Sequence, residues 1–236
     1  RVPPGPVSNR GAWTGGIGLQ CAVGPCALRN HLEKTPAYPR FALLHLATSQ
    51  RRAKKGLANR ERTVILMLDE VIITTPPPLY SCYGRRGQSV EVPITGDRER
   101  RVLHGAINIV TGEVALLISL EWTQQTHQIF LRLIRKQWRG WNLVLFEDRG
   151  SPHTAEESQA LALQLNIEIR LLPRATPHLN AMDHLWRWVK GRGLSNRPTH
   201  TIDDSADTAC AYVLALSPHE RLQKAGILSG NFWLAS

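Results

Sequence analysis

The sequence predicts an α/β domain, a mixed five-stranded sheet flanked by helices, and three observations predict it. Two uninterrupted apolar runs, Val64–Leu68 and Leu143–Phe146, read as strands buried on both faces. Segments near 101–109 and 114–120, joined by a turn at Thr111-Gly112, read as two further strands. The later chain then alternates helical and strand patterns, which calls for helical crossovers and parallel strands.

Taken in order, residues 1–30 are rich in Gly, Pro and small residues and read as irregular chain. Residues 41–57 offer one plausible helix, apolar at Phe41, Leu44 and Leu46 and basic beyond. Without a partner helix it does not make a helix-turn-helix, so residues 1–60 are expected to be an irregular or linker-like segment. Val64–Leu68 is the first strand. Residues 79–83 and 88–93, around Gly84-Arg85-Arg86-Gly87, suggest a hairpin or flap. In residues 123–138, Thr126, Ile129, Phe130, Leu133, Ile134 and Gln137 fall on one helical face. Leu143–Phe146 follows as a strand, then a helix near 154–165, a strand near 167–171 and a helix near 180–191. A final helix is expected near 204–216. The domain is expected to span 61–197, with 198–236 a carboxy-terminal helical extension. Three strands, helix, strand, helix, strand, helix matches a ribonuclease-H-like fold; periodicity alone does not choose it over other α/β folds, and the acidic residues decide.

The bulk numbers narrow the partners. Among 236 residues, 29 Lys and Arg against 19 Asp and Glu leave a formal charge of +10. Such a surplus favours a polyanion, with nucleic acid the commonest. The cysteines (Cys21, Cys26, Cys82 and Cys210) are too scattered for a disulfide framework or a tetrahedral zinc site, and a reducing intracellular compartment is the default. No apolar run approaches the roughly 20 residues that span a bilayer, and the start carries no initiator Met, so it is expected to be trimmed or arbitrary.

Acidic residues carry the chemistry. Asp69 stands at the end of the first apolar run and Asp148 at the end of the fourth strand. In the expected fold these strands are neighbours, so both carboxylates emerge at one edge, where hard oxygens suit Mg²⁺ or Mn²⁺. Asp183, near the start of the helix after Leu172-Pro173, closes the site from the side. Two ions about 3.5–4 Å apart would activate water and stabilise the leaving oxygen of a phosphodiester. Each Asp alone also reads as a turn former or helix cap. Glu70 and Glu147 alternate to the opposite face and read as supporting residues behind the metal ligands or as structural. A Ser151–His153 nucleophilic pair is rejected, because it lacks an orienting acid and an oxyanion site.

At this point the chain resembles the DDE-type transposases of the mariner superfamily, specifically their bacterial insertion-sequence branch (the insertion sequence 630 group). Leu68-Asp69-Glu70 is similar to the first acidic motif, and Tyr83-Gly84-Arg85-Arg86-Gly87-Gln88 to the Trp-x-x-x-Gly-Gln segment. His104-Gly105-Ala106-Ile107-Asn108 with Thr111-Gly112-Glu113 is similar to the Gly-Ala-Leu-Asn and Thr-Gly pair. Phe146-Glu147-Asp148 with His153 resembles the second acidic motif. Leu172-Pro173, Pro177, Leu179-Asn180, Asp183, Trp186 and Lys190 resemble the closing motif. Between Asp148 and Asp183 lie 34 residues, the superfamily's spacing.

The resemblance implies a transposase that cleaves DNA at the ends of a mobile element and transfers the freed 3′-hydroxyl to target DNA. It implies Asp69, Asp148 and Asp183 as catalytic metal ligands for two Mg²⁺ or Mn²⁺ ions, double-stranded DNA as partner, a homodimer when active, and a cytoplasmic, nucleoid-associated bacterial setting. Arg85, Arg86, Arg187 and Lys190 are candidate DNA contacts, with a solvated basic face the alternative for the last two. Asn180 and His153 are candidate supporting residues behind the metal ligands; His153 would orient Asp148, touch DNA or be structural. Trp186 reads as a core aromatic.

Several residues depart from the family. Arg149 follows the second Asp where Asn is usual, Ala181-Met182 replaces Pro-Ile, and Arg174-Ala175 replaces Pro-Tyr. Residues 1–60 do not resemble the paired helix-turn-helix modules of active relatives. These departures define an alternative: a truncated, catalytically impaired relic that only binds DNA.

Overall fold

A computed structural model describes residues 62–234 except 95 and 97; the expectations for residues 1–60 lie outside the described residues. Five strands form one sheet: β1 (Thr63–Thr74), β2 (Arg100–Asn108), β3 (Val114–Ser119), β4 (Asn142–Glu147) and β5 (Ile167–Leu171). Their order is β3-β2-β1-β4-β5. β1, β2 and β3 form an antiparallel meander, while β4 joins β1, and β5 joins β4, in parallel. The expected mixed five-stranded ribonuclease-H-like fold is therefore the observed one.

Among the described residues six α-helices accompany the sheet: α1 (Gln124–Gln137), α2 (Ser151–Thr154), α3 (Glu156–Gln164), α4 (Ala181–Val189), α5 (Ile202–Ala215) and α6 (Pro218–Lys224). Strand alternation divides the core into two layers. Val64, Leu66, Leu68, Leu143 and Leu145 pack with Phe130, Leu131 and Ile134 of α1 and with Ala162 of α3. Met67, Val71, Val144 and Phe146 pack on the other face with Met182, Leu185 and Trp186 of α4 and with Ala206, Ala209 and Val213 of α5.

The structure corrects several expectations. β1 runs twelve residues, so Asp69 is not at its end; only the pairing with β4 stops, at Met67–Phe146. The buried face of α1 is His127, Phe130, Leu131 and Ile134, and Ile129 is 52% exposed. The stripe is rotated: Leu131 and His127 face the sheet in place of Ile129, while Leu133 packs half-buried against the same core. No hairpin forms over 79–93. Pro76-Pro77-Pro78 and Pro93 lack the N–H donors a ladder needs, and the segment holds only a turn closed by Gln88 N–H donating to the Arg85 carbonyl (3.0 Å). The helix expected near 154–165 is α3, and a separate short helix, α2, precedes it across extended backbone at Ala155. Past Val189, α4 continues as a π-helical turn, Lys190–Leu194. The last helix starts earlier than expected, because Thr201 and Asp204 form a reciprocal capping box. α6, capped by Ser217 and Glu220, was not foreseen.

Candidate active site

β1 and β4 run parallel with Met67 level with Phe146. Two residues on stand Asp69, within β1, and Asp148, just past the end of β4, both opening on the same cleft. That cleft is flanked by α4, which carries Asp183 in its first turn. All three aspartates line one cleft of about 520 Å³, together with Arg149, Gly150, Asn180 and the 172–177 loop.

The N-terminus of α4 is fastened to β1 by three bonds beside Asp69. The Asn180 side chain caps α4 by accepting from Met182 N–H (3.0 Å), while its Nδ2 donates to the Leu68 carbonyl (2.7 Å). Ala181 N–H donates to Met67 Sδ (3.3 Å). Trp186 Nε1 donates to the Asp69 carbonyl (3.2 Å). Gly105 pairs with Asp69 across the sheet, and its missing side chain makes room for α4: a Cβ there would lie 2.5 Å from Trp186 Cζ2 and would also collide with Met182 Cε. Trp186 was expected to be a core aromatic; it is one that also holds the backbone of a predicted site residue.

Asp148 sits in a turn built by Gly150, whose N–H donates to Asp148 Oδ1 (2.8 Å). Gly150 is glycine for a steric reason, because a Cβ would lie 2.6 Å from the Trp122 ring. His153, buried in α2, places Nδ1 2.7 Å from the same oxygen. Both bonds fall on Oδ1, so Oδ2 is the oxygen left to the cleft. The His153 bond, with Gly150 assisting, holds the Asp148 carboxyl below its ordinary range. Asp69 is the opposite. Burial, reinforced by repulsion from Glu70, Asp183 and Asp148, pushes its carboxyl up to about 8.

The remaining candidates are dispersed. Arg187 turns back along α4 to pair with Asp183 through Nε (2.9 Å) and a guanidinium amino group, leaving one carboxylate oxygen of Asp183. Lys190 lies one turn on, half-buried at the start of the π-helical turn. Arg149 does not pair with Asp148; its Nε donates to the Leu172 carbonyl (3.2 Å). Arg85 and Arg86 are exposed in the segment Ser81–Val90, which belongs to a different compact unit from the sheet.

Behind the aspartates lies a layer whose joining sequence reasoning missed. Glu70 Oε1 contacts His153 Nε2 (3.0 Å) and His104 Nδ1 (3.2 Å), and His104 Nε2 reaches Ser119 Oγ (3.0 Å). Although burial opposes it, the two histidines hold the Glu70 carboxyl down to about 2. Likewise against burial, Asp148 and Glu70 push His153 up to about 11. Fully buried His127 and Glu147 adjoin this network. The available signal was a polar residue at a core position: His127 on the α1 stripe, and Glu147 ending the Leu143–Phe146 run.

A mixed 3-2-1-4-5 sheet with three aspartates opening on one cleft at its edge defines the ribonuclease-H-like class. Residues 64–205, more than half the chain, match the family described as DDE superfamily endonuclease, and the chain belongs to that family. Its fold is similar to the Mos1 transposase chain in a paired-end complex with the left transposon end (TM-score 0.61, 16% identity, covering 81% of this chain and 59% of that one). It is also similar to the paired-end complex of the Mos1 mariner transposase with Mn (TM-score 0.60, 16% identity, 79% and 59%). The catalytic domain of Mos1 mariner transposase matches over 81% of this chain and 90% of its own length (TM-score 0.57, 14% identity). The chain thus spans about three fifths of the transposase chains in those complexes. No curated protein sequence matches it. No helix among the described residues is long and apolar enough to cross a membrane.

Proposed function

We propose that this chain carries the catalytic domain of a transposase of the mariner superfamily, bacterial insertion sequence 630 group. It would cleave DNA at the ends of a mobile element and join the freed 3′-hydroxyl to target DNA, as a homodimer in the bacterial nucleoid. The observation that carries the reading is the convergence of Asp69, Asp148 and Asp183 on one cleft of a DDE-family domain. In this reading residues 61–197 form the catalytic domain after the 1–60 segment, and α5 and α6 of the 198–236 extension cover one face of its sheet.

The site fits a divalent cation. Its donors are hard carboxylate oxygens, and the burial and carboxylate repulsion that push the Asp69 carboxyl up are what a bound cation offsets. Asp69, Asp148 through Oδ2, and Asp183 would hold two Mg²⁺ or Mn²⁺ ions; similar folds include Mos1 complexes with Mn and with Mg. Such ions would lower the pKa of attacking water and neutralise the departing oxygen. The chain's own residues do the rest. His153 and Gly150 fix the Asp148 carboxylate, while Asn180 and Trp186 hold α4 against β1 so that Asp183 faces Asp69. Arg85, Arg86, Arg187 and Lys190 supply cations for phosphates.

One observation favours the second reading, an impaired DNA-binding relic. Arg187 occupies an oxygen of Asp183 and would compete with a metal. Arg149 does not add to it, since its guanidinium is engaged at Leu172. Incubation with Mn²⁺ and labelled duplex DNA decides between them. Nicking by the chain and none by Asp148→Ala is expected; no nicking by either, with DNA binding retained, selects the relic.

A further inference from the structure

On the face of the sheet opposite the three aspartates, four side chains converge from four elements: Glu70 on β1, His127 on α1, Glu147 on β4 and His153 on α2. One ligand atom from each of Glu70, His127 and His153 lies within 4.8 Å of the others. His153 Nε2 is 3.0 Å from Glu70 Oε1, His127 Nε2 is 3.6 Å from Glu147 Oε2, and the imidazole centroids are 4.7 Å apart. His127 and Glu147 are fully buried, yet neither ring nitrogen of the one nor either oxygen of the other has a hydrogen-bond partner. A buried polar atom left without a partner is costly, so four together mark a place where a partner belongs.

We propose that Glu70, His127, Glu147 and His153 form a closed, buried site for one transition-metal ion, best suited to Zn²⁺ and distinct from the Mg²⁺ or Mn²⁺ cleft. The donor set is two imidazoles and two carboxylates, which suits four-coordinate zinc and is softer than the all-carboxylate cleft. Zinc ligands about 2.0 Å from the ion sit a little over 3 Å from one another, close to the His153–Glu70 spacing. Glu70, His127 and His153 form the close group, and Glu147 adjoins it through its 3.6 Å contact with His127.

Neighbouring bonds suit the assignment. A histidine that binds metal through one ring nitrogen usually donates its other N–H to a carboxylate or carbonyl. His153 has that geometry, Nε2 toward the cluster and Nδ1 on Asp148 Oδ1. Metal at this site would fix the His153 tautomer and, through it, the orientation of Asp148.

The test uses the full chain, stripped with chelator, loaded with Zn²⁺ alone, passed over a weak chelating resin and analysed for metal content. About one Zn²⁺ per chain is expected, retained equally by Asp69→Asn and Asp183→Asn, with affinity lowered at least roughly tenfold in His127→Gln and Glu147→Gln. Co²⁺ loading of the unmutated chain is a second readout that needs no variant to fold, and intense visible bands of a tetrahedral nitrogen–oxygen site are expected. A folded chain that retains no Zn²⁺ and gives only the weak spectrum of octahedral Co²⁺ would overturn the site, leaving a plain His–Glu contact. So would Zn²⁺ that survives His127→Gln but is lost in Asp69→Asn, which would belong to the cleft. Mn²⁺-dependent nicking reports on the cleft separately.

Discussion

The indole N–H of Trp186 donates to the backbone carbonyl of Asp69 at 3.2 Å, directly opposite the glycine, Gly105, that pairs with Asp69 across the sheet. The helix bearing Asp183 is therefore seated on the strand bearing Asp69 by one aromatic side chain and one missing side chain.

That seat predicts an overpacking defect. Gly105→Ala would place a methyl 2.5 Å from the Trp186 ring, and overpacked cores lose about 1–3 kcal/mol. Urea denaturation should show a lower midpoint with an unchanged slope. Trp186→Phe, which keeps the ring but not the donor, should lose about 1 kcal/mol. If Gly105→Ala is neutral, the helix is not held as tightly as described.

Asn180 makes a second prediction. It caps α4 and satisfies the Leu68 carbonyl from within the core, so Asn180→Ala should cost about 1–3 kcal/mol. In the proposed reading, Mn²⁺-dependent nicking should fall further than stability alone explains, because Asp183 is no longer held toward Asp69. Nicking that merely tracks the folded fraction would remove Asn180 from the site.

Arg187 allows the ion pair and the metal to be set against each other. Removing the guanidinium from Asp183 should tighten Mn²⁺ binding severalfold in Arg187→Ala, measured by calorimetry. In the same variant the salt dependence of DNA binding should drop by about one charge if Arg187 also meets a phosphate. Unchanged Mn²⁺ affinity would mean that the pair does not compete.

The site also fixes the sign of a pH dependence. Asp69 and Glu147 are pushed up to about 8 and His153 to about 11, all above their unfolded values. Between pH 6.5 and 8 the folded chain therefore binds more protons than the unfolded chain, and stability falls as pH rises. His127 and Glu70, shifted down to about 3 and about 2, contribute their changes below that window. Thermal unfolding of chelator-treated protein should show a falling Tm across pH 6.5–8. Divalent metal should flatten that slope, since binding removes the protons in advance. A Tm that rises over this window would contradict the assignment.

Much was legible in the chain because it is local. The apolar runs at Val64–Leu68 and Leu143–Phe146 mark strands buried on both sides. The helical crossover between them requires parallel pairing, and alternation then puts Asp69 and Asp148 on one face. The caps at Thr123 and Thr201 are local as well, hydroxyls reaching only three residues, although the expected start near 204 passed over the second.

What the sequence by itself determined is the class of sheet and the aspartates brought to its edge, since both follow from short-range periodicity and the order of elements. The tertiary structure alone decided how those aspartates are held. Trp186 finds the Asp69 carbonyl 117 residues away and Asn180 the Leu68 carbonyl 112 residues away. His153 links Asp148 to Glu70, 83 residues upstream. Such bonds depend on the register of one strand against another and on the depth at which a helix packs. Those quantities are set by side chains far apart in sequence, and no local pattern encodes them.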